Sequence, residues 1–372
     1  MKPVNERDFF EEIWGFKESI KSVKEYLQID TSSDKNHIIS LINARTVQPG
    51  NFETRKINSF NEQDLVAKIK KKGTLSIVIG NGPHTTQYDR VDIGALQAHP
   101  ANRGATFQVA SNFNCLEFVD ERDSASVGIT KYVFDQTQGP AACISAAPGV
   151  LYRNYFVPHY VDGKLYKGQL EQQINLLNNF FIPVTNGYIN FNGNELTEIY
   201  EPTWDDHFFT DYGDVKVGVQ TNVEVTSGTK RDGLIYMVEQ SGQIINQVFT
   251  ASINLGGTRA MFASRPKIQK LAQMLLKAAY RGTILVAMEN ALKAPPELVG
   301  RNKLFLTLIG GGAFGNDLEW IVGALYEQLE LIKRSGLEIT LVIYAQYTVT
   351  EYALQTLQIL AAETEGTVLN VQ

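Results

Sequence analysis

A glycine-rich segment near the end of the sequence has the residue types of a phosphate-binding turn. The run Leu304–Ile309 is almost wholly apolar and predicts a strand buried on both faces. Gly310–Gly315 follows, with the sequence Gly-Gly-Gly-Ala-Phe-Gly, and Asn316 is then a candidate helix N-cap. A glycine turn between a strand and a helix start presents backbone N–H groups beside the positive end of the helix dipole. The segment therefore predicts a site for a phosphate-bearing ligand.

The same glycines satisfy the G-x-G-x-x-G spacing of dinucleotide-binding folds, through Gly310, Gly312 and Gly315. Such a site needs an acidic residue about twenty positions later, at the end of the next strand. The next predicted strand, 339–344, continues into Ala345-Gln346-Tyr347 without an acid, and a single helical segment remains after it. A P-loop is excluded as well, because no Gly-Lys-Ser/Thr ends the turn. A tight structural turn without a ligand stays as the alternative.

A second segment places polar side chains at the end of another predicted strand. The strand 105–111 runs into Asn112, Asn114 and Glu117. These residues supply two amides and one carboxylate at the carboxyl end of a strand, which is the edge where α/β sheets bind ligands.

A third segment, 135–149, combines a turn with a helix rich in small residues. We predict a short helix at 138–147, with Pro140 near its start and Gly149 just beyond its end. Small residues let a helix approach a sheet or a ligand closely, and the helix N-terminus offers a second anion site. For the second and third segments alike, helix capping and tight packing without a ligand is the alternative interpretation.

The elements that would position these residues follow from hydrophobic periodicity and from the breakers Gly and Pro. Predicted helices lie at 5–28, 61–72, 138–147, 165–182, 265–281 (ended by Gly282), after Asn316 and at 350–363. Predicted strands lie at 74–79, 105–111, 215–220, 245–253, 283–288, 304–309 and 339–344, with a hairpin at 188–197 turning at Asn192-Gly193. Strands and helices alternate from 246 onward, so we expect an α/β sandwich around a mostly buried sheet.

Composition excludes several classes of protein. The 372 residues carry a net charge of −6, which argues against a general nucleic-acid binder. Two cysteines cannot form a disulfide framework, no run of 18 apolar residues is present, and no signal-like segment opens the chain, so we expect a soluble, cytoplasmic protein that does not insert in membranes. The five histidines are scattered, and the acidic stretch Asp205-Asp206-His207 with Asp211 is read as a solvated loop, so no metal or other cofactor is expected.

Together the three segments resemble the macrodomain superfamily, whose members bind or hydrolyse ADP-ribose. In that family, asparagines at a strand end precede a first loop with a small-residue helix, and a later strand enters a second loop of Gly-x-x-x-Phe/Tyr-Gly type that wraps the diphosphate. The corresponding residues here are 109–114, 138–149 and 311–315.

More narrowly, the sequence is similar to a divergent macrodomain-like group that includes a bacterial effector that removes ADP-ribose from arginine. The residues that carry this resemblance are 107–111, 114–117, 137–140, 152–156 and 247–249, and the resemblance spans roughly 74–348. The glutamate pair of poly(ADP-ribose) glycohydrolases is absent after the first loop, where Gln138-Gly139 stands, which argues against processive cleavage of poly(ADP-ribose).

The resemblance implies a macrodomain-like α/β/α sandwich with a mixed sheet at 73–372, an insertion at about 155–240 and an N-terminal helical extension at 1–72. It implies removal of mono-ADP-ribose from a protein or small molecule. A non-catalytic module that binds ADP-ribose or an NAD-derived signal is the second hypothesis. An unrelated α/β protein whose loops only turn the chain is the third.

The expected site residues follow from this resemblance and from the chemistry of an oxocarbenium-like centre. Glu117 and Asp135 are the candidate general bases. Phe314 would pack on the distal ribose, Gln138 and Gly139 would meet the diphosphate, and Arg153 would reach a phosphate or form a structural salt bridge. The full set of expected ligand-binding residues is Asn112, Asn114, Thr137, Gln138, Gly139, Arg153, Gly310, Gly311, Gly312, Ala313, Phe314, Gly315 and Asn316. The sequence leaves open whether Asn112 or Asn114 faces the ribose.

Overall fold

The computed structural model describes residues 1–32, 36–180, 182–191, 201–239 and 242–371. The helices in this part of the chain are α1 (Phe9–Trp14), α2 (Ile20–Tyr26), α3 (Glu62–Lys68), α4 (Ile93–Ala98), α5 (Gln138–Ser145), α6 (Ala147–Tyr155), α7 (Asp206–Thr210), α8 (Pro266–Lys293), α9 (Leu318–Tyr326), α10 (Leu329–Arg334) and α11 (Glu351–Glu363). The strands are β1 (Lys2–Asn5), β2 (Leu27–Asp30), β3 (His37–Ser40), β4 (Thr46–Val47), β5 (Asn51–Lys56), β6 (Thr74–Gly80), β7 (Thr106–Ala110), β8 (Pro158–Val161), β9 (Lys164–Lys167), β10 (Val184–Thr185), β11 (Tyr188–Ile189), β12 (Lys216–Glu224), β13 (Ser227–Arg231), β14 (Leu234–Met237), β15 (Ile244–Thr250), β16 (Lys303–Leu306), β17 (Glu338–Ile343) and β18 (Val368–Val371).

An eight-stranded mixed sheet forms the centre of the molecule. Its strand order is β18-β6-β17-β16-β7-β15-β12-β5. The strands from β18 to β15 are parallel to one another, while β12 and β5 add antiparallel strands at one edge. The carboxyl ends of six neighbouring strands therefore lie at the same edge of the sheet.

Helices cover both faces of this sheet. On β7, the Gln108 amide donates to the Thr283 hydroxyl of α8 over 3.2 Å, whereas the adjacent Phe107 packs in a cluster with Ala98 of α4 and Ala146 beside α5. Successive side chains of a strand point to opposite faces, so α8 and α4–α5 lie on opposite sides. Helix α9 packs between α8 and α11, and α6 packs on β12. The predicted α/β/α sandwich with a mostly buried mixed sheet is confirmed.

The helix predicted at 265–281 is confirmed, but it does not end at Gly282, and the strand predicted at 283–288 is wrong because these residues belong to the same 28-residue helix α8. Gly282 lies inside this helix, where an added Cβ would stand 2.7 Å from Cγ1 of Val217 on β12. The glycine permits close packing on the sheet and does not end the helix. Residues 283–288 are all buried, and a short apolar run of this kind does not distinguish a buried helix from a strand.

The N-terminal segment 1–72 differs from the predicted helical extension. The predicted helix at 5–28 is divided into α1 and α2 by Gly15, which adopts a φ of +82°. Five strands also lie in the described part of this segment, and β5 pairs with β12 at the edge of the central sheet. The domain boundary at 72 and the insertion at about 155–240 stay predictions, although β12 of that range is a member of the central sheet.

Several other elements differ from the prediction in type or length. The helix predicted at 165–182 is wrong over its described residues, since 165–167 belong to the hairpin β8–β9 and 168–180 form bends and turns without a helix. The helix predicted at 61–72 ends at Lys68, and Asp317 replaces Asn316 as the N-cap of α9. The final strand β18 was not predicted. The short hairpin β10–β11 turns at Asn186-Gly187, and the predicted turn at Asn192-Gly193 lies outside the described residues.

The remaining predicted strands and helices are present with small shifts in their ends. They are β6, β7, β12, β15, β16, β17, α5, α9 and α11. Within the described residues, no helix combines the length and hydropathy needed to cross a membrane.

The close contact between α8 and β12 gives a stability prediction. Gly282→Val places a branched side chain against Val217, and overpacking of this kind costs about 1–3 kcal/mol. Gly323→Val in α9 is the matched control, because a Cβ there meets no atom within 4 Å. Urea unfolding followed by circular dichroism measures both variants. Equal stability of the two variants would contradict the assigned packing.

Candidate functional site

A cavity of about 720 Å³ opens at the carboxyl edge of the parallel strands. Its wall passes from Tyr88 and Asp92, after β6, to Tyr344, after β17. It continues over the glycine loop after β16 to Glu117, after β7, and to Ser252, after β15. Neighbouring strands are about 4.8 Å apart, so the cavity extends roughly 19 Å across the sheet. An elongated ligand can therefore contact several strand ends at once.

The structure brings most of the predicted site residues to this cavity. Those in its wall are Asn112, Glu117, Asp135, Thr137, Gln138, Gly139, Gly310, Gly311, Gly312, Ala313 and Phe314. Asn114, Arg153 and Asn316 are buried and do not line the cavity, and the exposed Gly315 does not line it either. The three sequence segments thus converge on one site.

The glycine loop after β16 is a compact turn with free backbone donors. Gly310 adopts a φ of +75° and Gly315 a φ of +60°, both in the left-handed region that favours glycine. Among the described residues, no hydrogen-bond acceptor receives the N–H groups of Gly312, Ala313 or Phe314. Consecutive unpaired N–H groups of this kind form an anion-binding concavity.

Asn316 holds the glycine loop from behind. Its side-chain amide is buried and donates to the Ile253 carbonyl over 2.8 Å, while its backbone N–H donates to the Gly310 carbonyl over 3.0 Å. The backbone N–H is therefore already used within the loop. Asn316 anchors the loop to the segment that follows β15.

Gln138, the first residue of α5, uses its side chain to bind strand β7. Its amide oxygen accepts the Ala110 N–H at 2.9 Å, and its amide nitrogen donates to the Gln108 carbonyl at 2.9 Å. The side chain predicted to meet a diphosphate thus hydrogen-bonds the sheet. The backbone N–H groups of Gln138 and Gly139, in the first turn of the helix, have no acceptor within the helix itself.

Gly139 allows the first turn of α5 to pack directly against β7. A Cβ at Gly139 would stand 1.9 Å from the Ala110 carbonyl oxygen and 3.0 Å from Cγ of Glu117. No larger residue fits without moving α5 away from β7. The close approach places the helix N-terminus at the cavity, where its dipole favours an anion.

Asn112, not Asn114, lines the cavity. The Asn112 amide nitrogen donates to the Phe118 carbonyl over 2.9 Å. Asn114 points toward Gln173, to whose side chain it donates over 2.8 Å, and it also accepts the Leu116 N–H. Both side chains shape the loop that carries Glu117, but a ligand in the cavity can reach only Asn112.

Glu117 is the most unusual ionisable group of the cavity wall. The residue is 5% exposed, and its backbone N–H donates to the Tyr132 hydroxyl over 2.8 Å. Its Oε2 accepts the Cys143 thiol over 3.0 Å, whereas Oε1 has no partner among the described residues. Burial raises the pKa of Glu117 to about 7, in spite of the Arg153 guanidinium 3.9 Å away, which lowers it. Glu117 can therefore gain or lose a proton near neutral pH.

Asp135, the second candidate base, is held by its own turn. Its Oδ1 accepts both the N–H and the hydroxyl of Thr137 at 2.7 Å, directly before α5. This arrangement leaves Asp135 at the cavity wall but directs one oxygen to the helix start. Of the two carboxyl groups, Glu117 is therefore the better candidate to contact the reacting atom of a ligand.

The far end of the cavity contains residues that we did not select from the sequence. The rings of Tyr88 and Tyr344 meet edge to face, with centroids 6.0 Å apart. Asp92 caps α4 by accepting the Ala95 N–H at 2.7 Å, and burial raises the pKa of its carboxyl. Tyr344 follows β17 directly, so the rule of strand carboxyl ends could have identified it. Lys230 comes from β13, in a separate sheet, and no local pattern places it here.

The acidic stretch near residue 205 makes ordinary structural contacts. Asp205 caps α7 by accepting the Phe208 N–H, and Asp206 pairs with Lys270 at 2.7 Å. Within the described residues, no group of three or more His, Cys, Asp or Glu side chains is arranged to hold a metal ion.

No protein-family model and no curated protein sequence matches this chain. Solved structures of poly(ADP-ribose) glycohydrolases are similar to it over most of its length. The apo enzyme from Deinococcus radiodurans is 14% identical, with 84% of this chain and 94% of that chain covered and a TM-score of 0.41. The same enzyme in complex with ADP-ribose, in the P3221 crystal form, is 10% identical, with 85% and 94% covered and a TM-score of 0.41. The enzyme from Thermomonospora curvata is 10% identical, with 96% and 98% covered and a TM-score of 0.43. At this level of similarity, the function is argued from the site itself.

The burial of Glu117 gives a pH-dependent stability prediction. Between its ordinary pKa of 4.5 and its folded pKa of about 7, the folded state keeps a proton that the unfolded state has released. Glu117 therefore makes the folded protein less stable as pH rises through this window, by at most about 1.4 kcal/mol per pH unit. Glu117→Gln removes that dependence, so its stability relative to wild type should increase from pH 5 to pH 8.

Thermal unfolding of the two proteins across this range measures the difference. Glu297→Gln, at an exposed glutamate, controls for the general loss of one carboxylate. Stability curves of wild type and Glu117→Gln that run parallel from pH 5 to pH 8 would contradict the raised pKa.

Proposed function

We propose that the cavity binds ADP-ribose attached to a protein or small molecule and hydrolyses the bond between the distal ribose and that acceptor. The observation that carries the proposal is the position of Glu117. A buried carboxyl group with one unpartnered oxygen lies in the same cavity wall as a glycine loop with unpaired backbone donors.

The diphosphate is assigned to the middle of the cavity. The glycine loop offers N–H groups from Gly312, Ala313 and Phe314, and the first turn of α5 faces the same space from the β7 side. Two phosphates between a backbone concavity and a helix N-terminus would be bound without a cationic side chain. This fits the absence of lysine and arginine among the wall residues contributed by the glycine loop and by α5.

The position of the diphosphate orients the rest of the ligand. One end of the cavity holds Tyr88, Asp92 and Tyr344, whose aromatic rings and carboxyl group suit a base with an amino group. The other end holds Asn112, Glu117 and Phe314, which would surround the distal ribose. The bond to the acceptor would then lie next to Glu117.

In the proposed reaction, water adds to the anomeric carbon of the distal ribose while the bond to the acceptor breaks. Glu117 accepts the proton of the water and passes it to the departing acceptor, so that free ADP-ribose and the unmodified acceptor are the products. A carboxylate beside the anomeric carbon also stabilises the positive charge that develops there. Asp135 is the second candidate for the base.

Mono-ADP-ribose is the proposed substrate form. The residues after the first loop are Gln138 and Gly139, not a glutamate pair. The Gln138 side chain hydrogen-bonds strand β7, and Gly139 packs on the Ala110 carbonyl. Neither residue can supply a second acid for processive cleavage. The alternative, a module that binds ADP-ribose without turnover, is distinguished by the experiments below.

The first test is calorimetry with free ADP-ribose. We expect a dissociation constant on the order of micromolar. Gly312→Glu should weaken binding at least tenfold, because it adds a negative charge beside the diphosphate at a position with room for the side chain. Gly323→Glu makes the same change of charge in α9, away from the cavity wall, and should bind like wild type. No binding by the wild-type protein would refute the proposal.

The second test is turnover of peptides ADP-ribosylated on arginine or glutamate. Glu117→Gln should lower kcat by about 10²–10⁴-fold and leave ADP-ribose affinity nearly unchanged, as expected for loss of a general base. Since Glu117 must be ionised to act, kcat/KM should rise with pH and level off above about 7. Asp135→Asn, examined in parallel, should have the smaller effect. Binding without turnover would favour the non-catalytic module.

A further inference from the structure

Arg153 is completely buried beneath the cavity, in surroundings that are almost entirely neutral. Its Nε donates to the Cys115 carbonyl over 2.9 Å, and its Nη1 donates to the Gln220 side-chain oxygen over 3.0 Å. The guanidinium carbon lies 3.7 Å from the centroid of the Phe249 ring. A carbonyl, an amide and an aromatic face satisfy hydrogen bonds and attract a cation, but none of them carries a compensating charge.

The compensating charge comes from Glu117. Nη2 of Arg153 lies 3.9 Å from Oε2 of Glu117, and both side chains are nearly inaccessible to solvent. Cys143 connects the two, because its sulfur accepts from Nη2 over 3.2 Å and its thiol donates to Oε2 over 3.0 Å. Oε2 is therefore fixed on the protein side. Oε1 is the carboxylate oxygen without a partner among the described residues.

We propose that Arg153 is a positioning residue for Glu117: by direct attraction and through the Cys143 thiol it fixes Oε2 on the protein side and favours the ionised carboxylate, which leaves Oε1 as the oxygen without a protein partner. An arginine does not lose its proton in proteins, so a neutral Glu117 would leave the Arg153 charge buried without a counter-charge. Protonation of Glu117 is thereby opposed by the fixed cation. That the ionised Glu117 acts as a base rests on the proposed function, whereas its coupling to Arg153 does not.

The other groups that face Glu117 do not replace this interaction. Burial raises the pKa of Tyr132, Cys143 and Cys115, which keeps all three neutral near pH 7. The Asp135 carboxylate acts in the opposite sense and raises the pKa of Glu117, but less strongly than Arg153 lowers it. The two largest influences on the pKa of Glu117 are therefore burial, which raises it, and Arg153, which lowers it.

The direct test measures the protonation of Glu117 in the absence of substrate. Protein labelled with ¹³C at the glutamate carboxyl carbons is titrated by NMR, and the Glu117→Gln spectrum assigns the resonance. In Arg153→Met, which keeps the length of the side chain without its charge, the midpoint of Glu117 should move up by about 1–3 pH units. Arg153→Lys retains a cation and should bring the midpoint back toward that of wild type.

A second pair of variants tests the thiol link and remains informative if Arg153→Met does not fold. Cys143→Ala removes the donor to Oε2 and should raise the Glu117 midpoint. Cys143→Ser keeps a donor of similar size, so its midpoint should stay at or below that of wild type. Circular dichroism confirms that each titrated variant is folded.

The outcomes separate this inference from the proposed function. A folded Arg153→Met protein whose Glu117 midpoint is unchanged overturns the positioning role, as does an equal midpoint in Cys143→Ala and Cys143→Ser. Midpoints that move as expected in a protein without ADP-ribosyl turnover support the coupling and reject the proposed hydrolase. In an active enzyme, the acidic limb of kcat/KM should move with the Glu117 midpoint, and KM should change little because Arg153 lies behind the cavity wall.

Discussion

The hydrogen bonds of the Gln138 side chain determine how the site is built. Strand β16 pairs with β7 only at Leu304–Thr106 and Phe305–Phe107, and the two strands separate beyond that point. The Gln138 amide then satisfies the Ala110 N–H and the Gln108 carbonyl, groups that a continuing strand would otherwise have bonded. A buried strand edge without such a partner would be strongly destabilised. The Gln138 side chain thus satisfies the edge of β7 where β16 no longer pairs with it. The same hydrogen bonds hold the start of α5 at the edge of the space between β16 and β7.

The position of Glu117 follows from this arrangement. Because α5 begins against β7, its fifth and sixth residues pass beneath the loop after the strand, and Cys143 meets the Glu117 carboxyl group. Helix α6 continues from α5 and brings Arg153 to the same point from below. Desolvating a carboxylate and a guanidinium together is costly, and replacing such a pair by apolar residues often leaves a protein equally stable. A buried pair in the cavity wall whose carboxylate keeps one oxygen without a protein partner therefore fits the proposed chemistry of Glu117 better than a role in stability.

The sequence predicted the parts of the fold and site that depend on local patterns. Apolar runs identified β6, β7, β16 and β17, and the rule of strand carboxyl ends then brought Asn112, Glu117 and the glycine loop to one edge. Local patterns were misleading where tertiary packing decides the role of a residue. Gly282 looked like a helix terminator, but it is a contact point between α8 and β12.

The roles of Asn316 and Arg153 also depended on long-range contacts. Asn316 looked like an N-cap, but its amide is used by Ile253 and its neighbour Asp317 caps the helix. For Arg153 the sequence left a phosphate contact and a structural salt bridge equally open, and the packing of α6 on β12 shows that it faces Glu117 from the protein side. Lys230 reaches the cavity from a different sheet, and the pairing of that sheet with the N-terminal strand β1 through β14 cannot be read from a local pattern.

The glycine loop and the loop that carries Glu117 are both held by the segment that follows β15. The glycine loop rests on the segment after β15, where the Leu255 N–H donates to the Phe314 carbonyl over 2.7 Å. The same segment carries Arg259, which forms an ion pair with Glu121 in the loop that follows Glu117. That loop is fixed a second time by Asn112 and Tyr188, both of which donate to the Phe118 carbonyl. A displacement of the glycine loop would therefore be transmitted to the loop that carries Glu117. Since the proposed chemistry requires the anomeric carbon to stand at a fixed place relative to Glu117, a common anchor for both loops is the arrangement that lets binding of the diphosphate align the reacting bond.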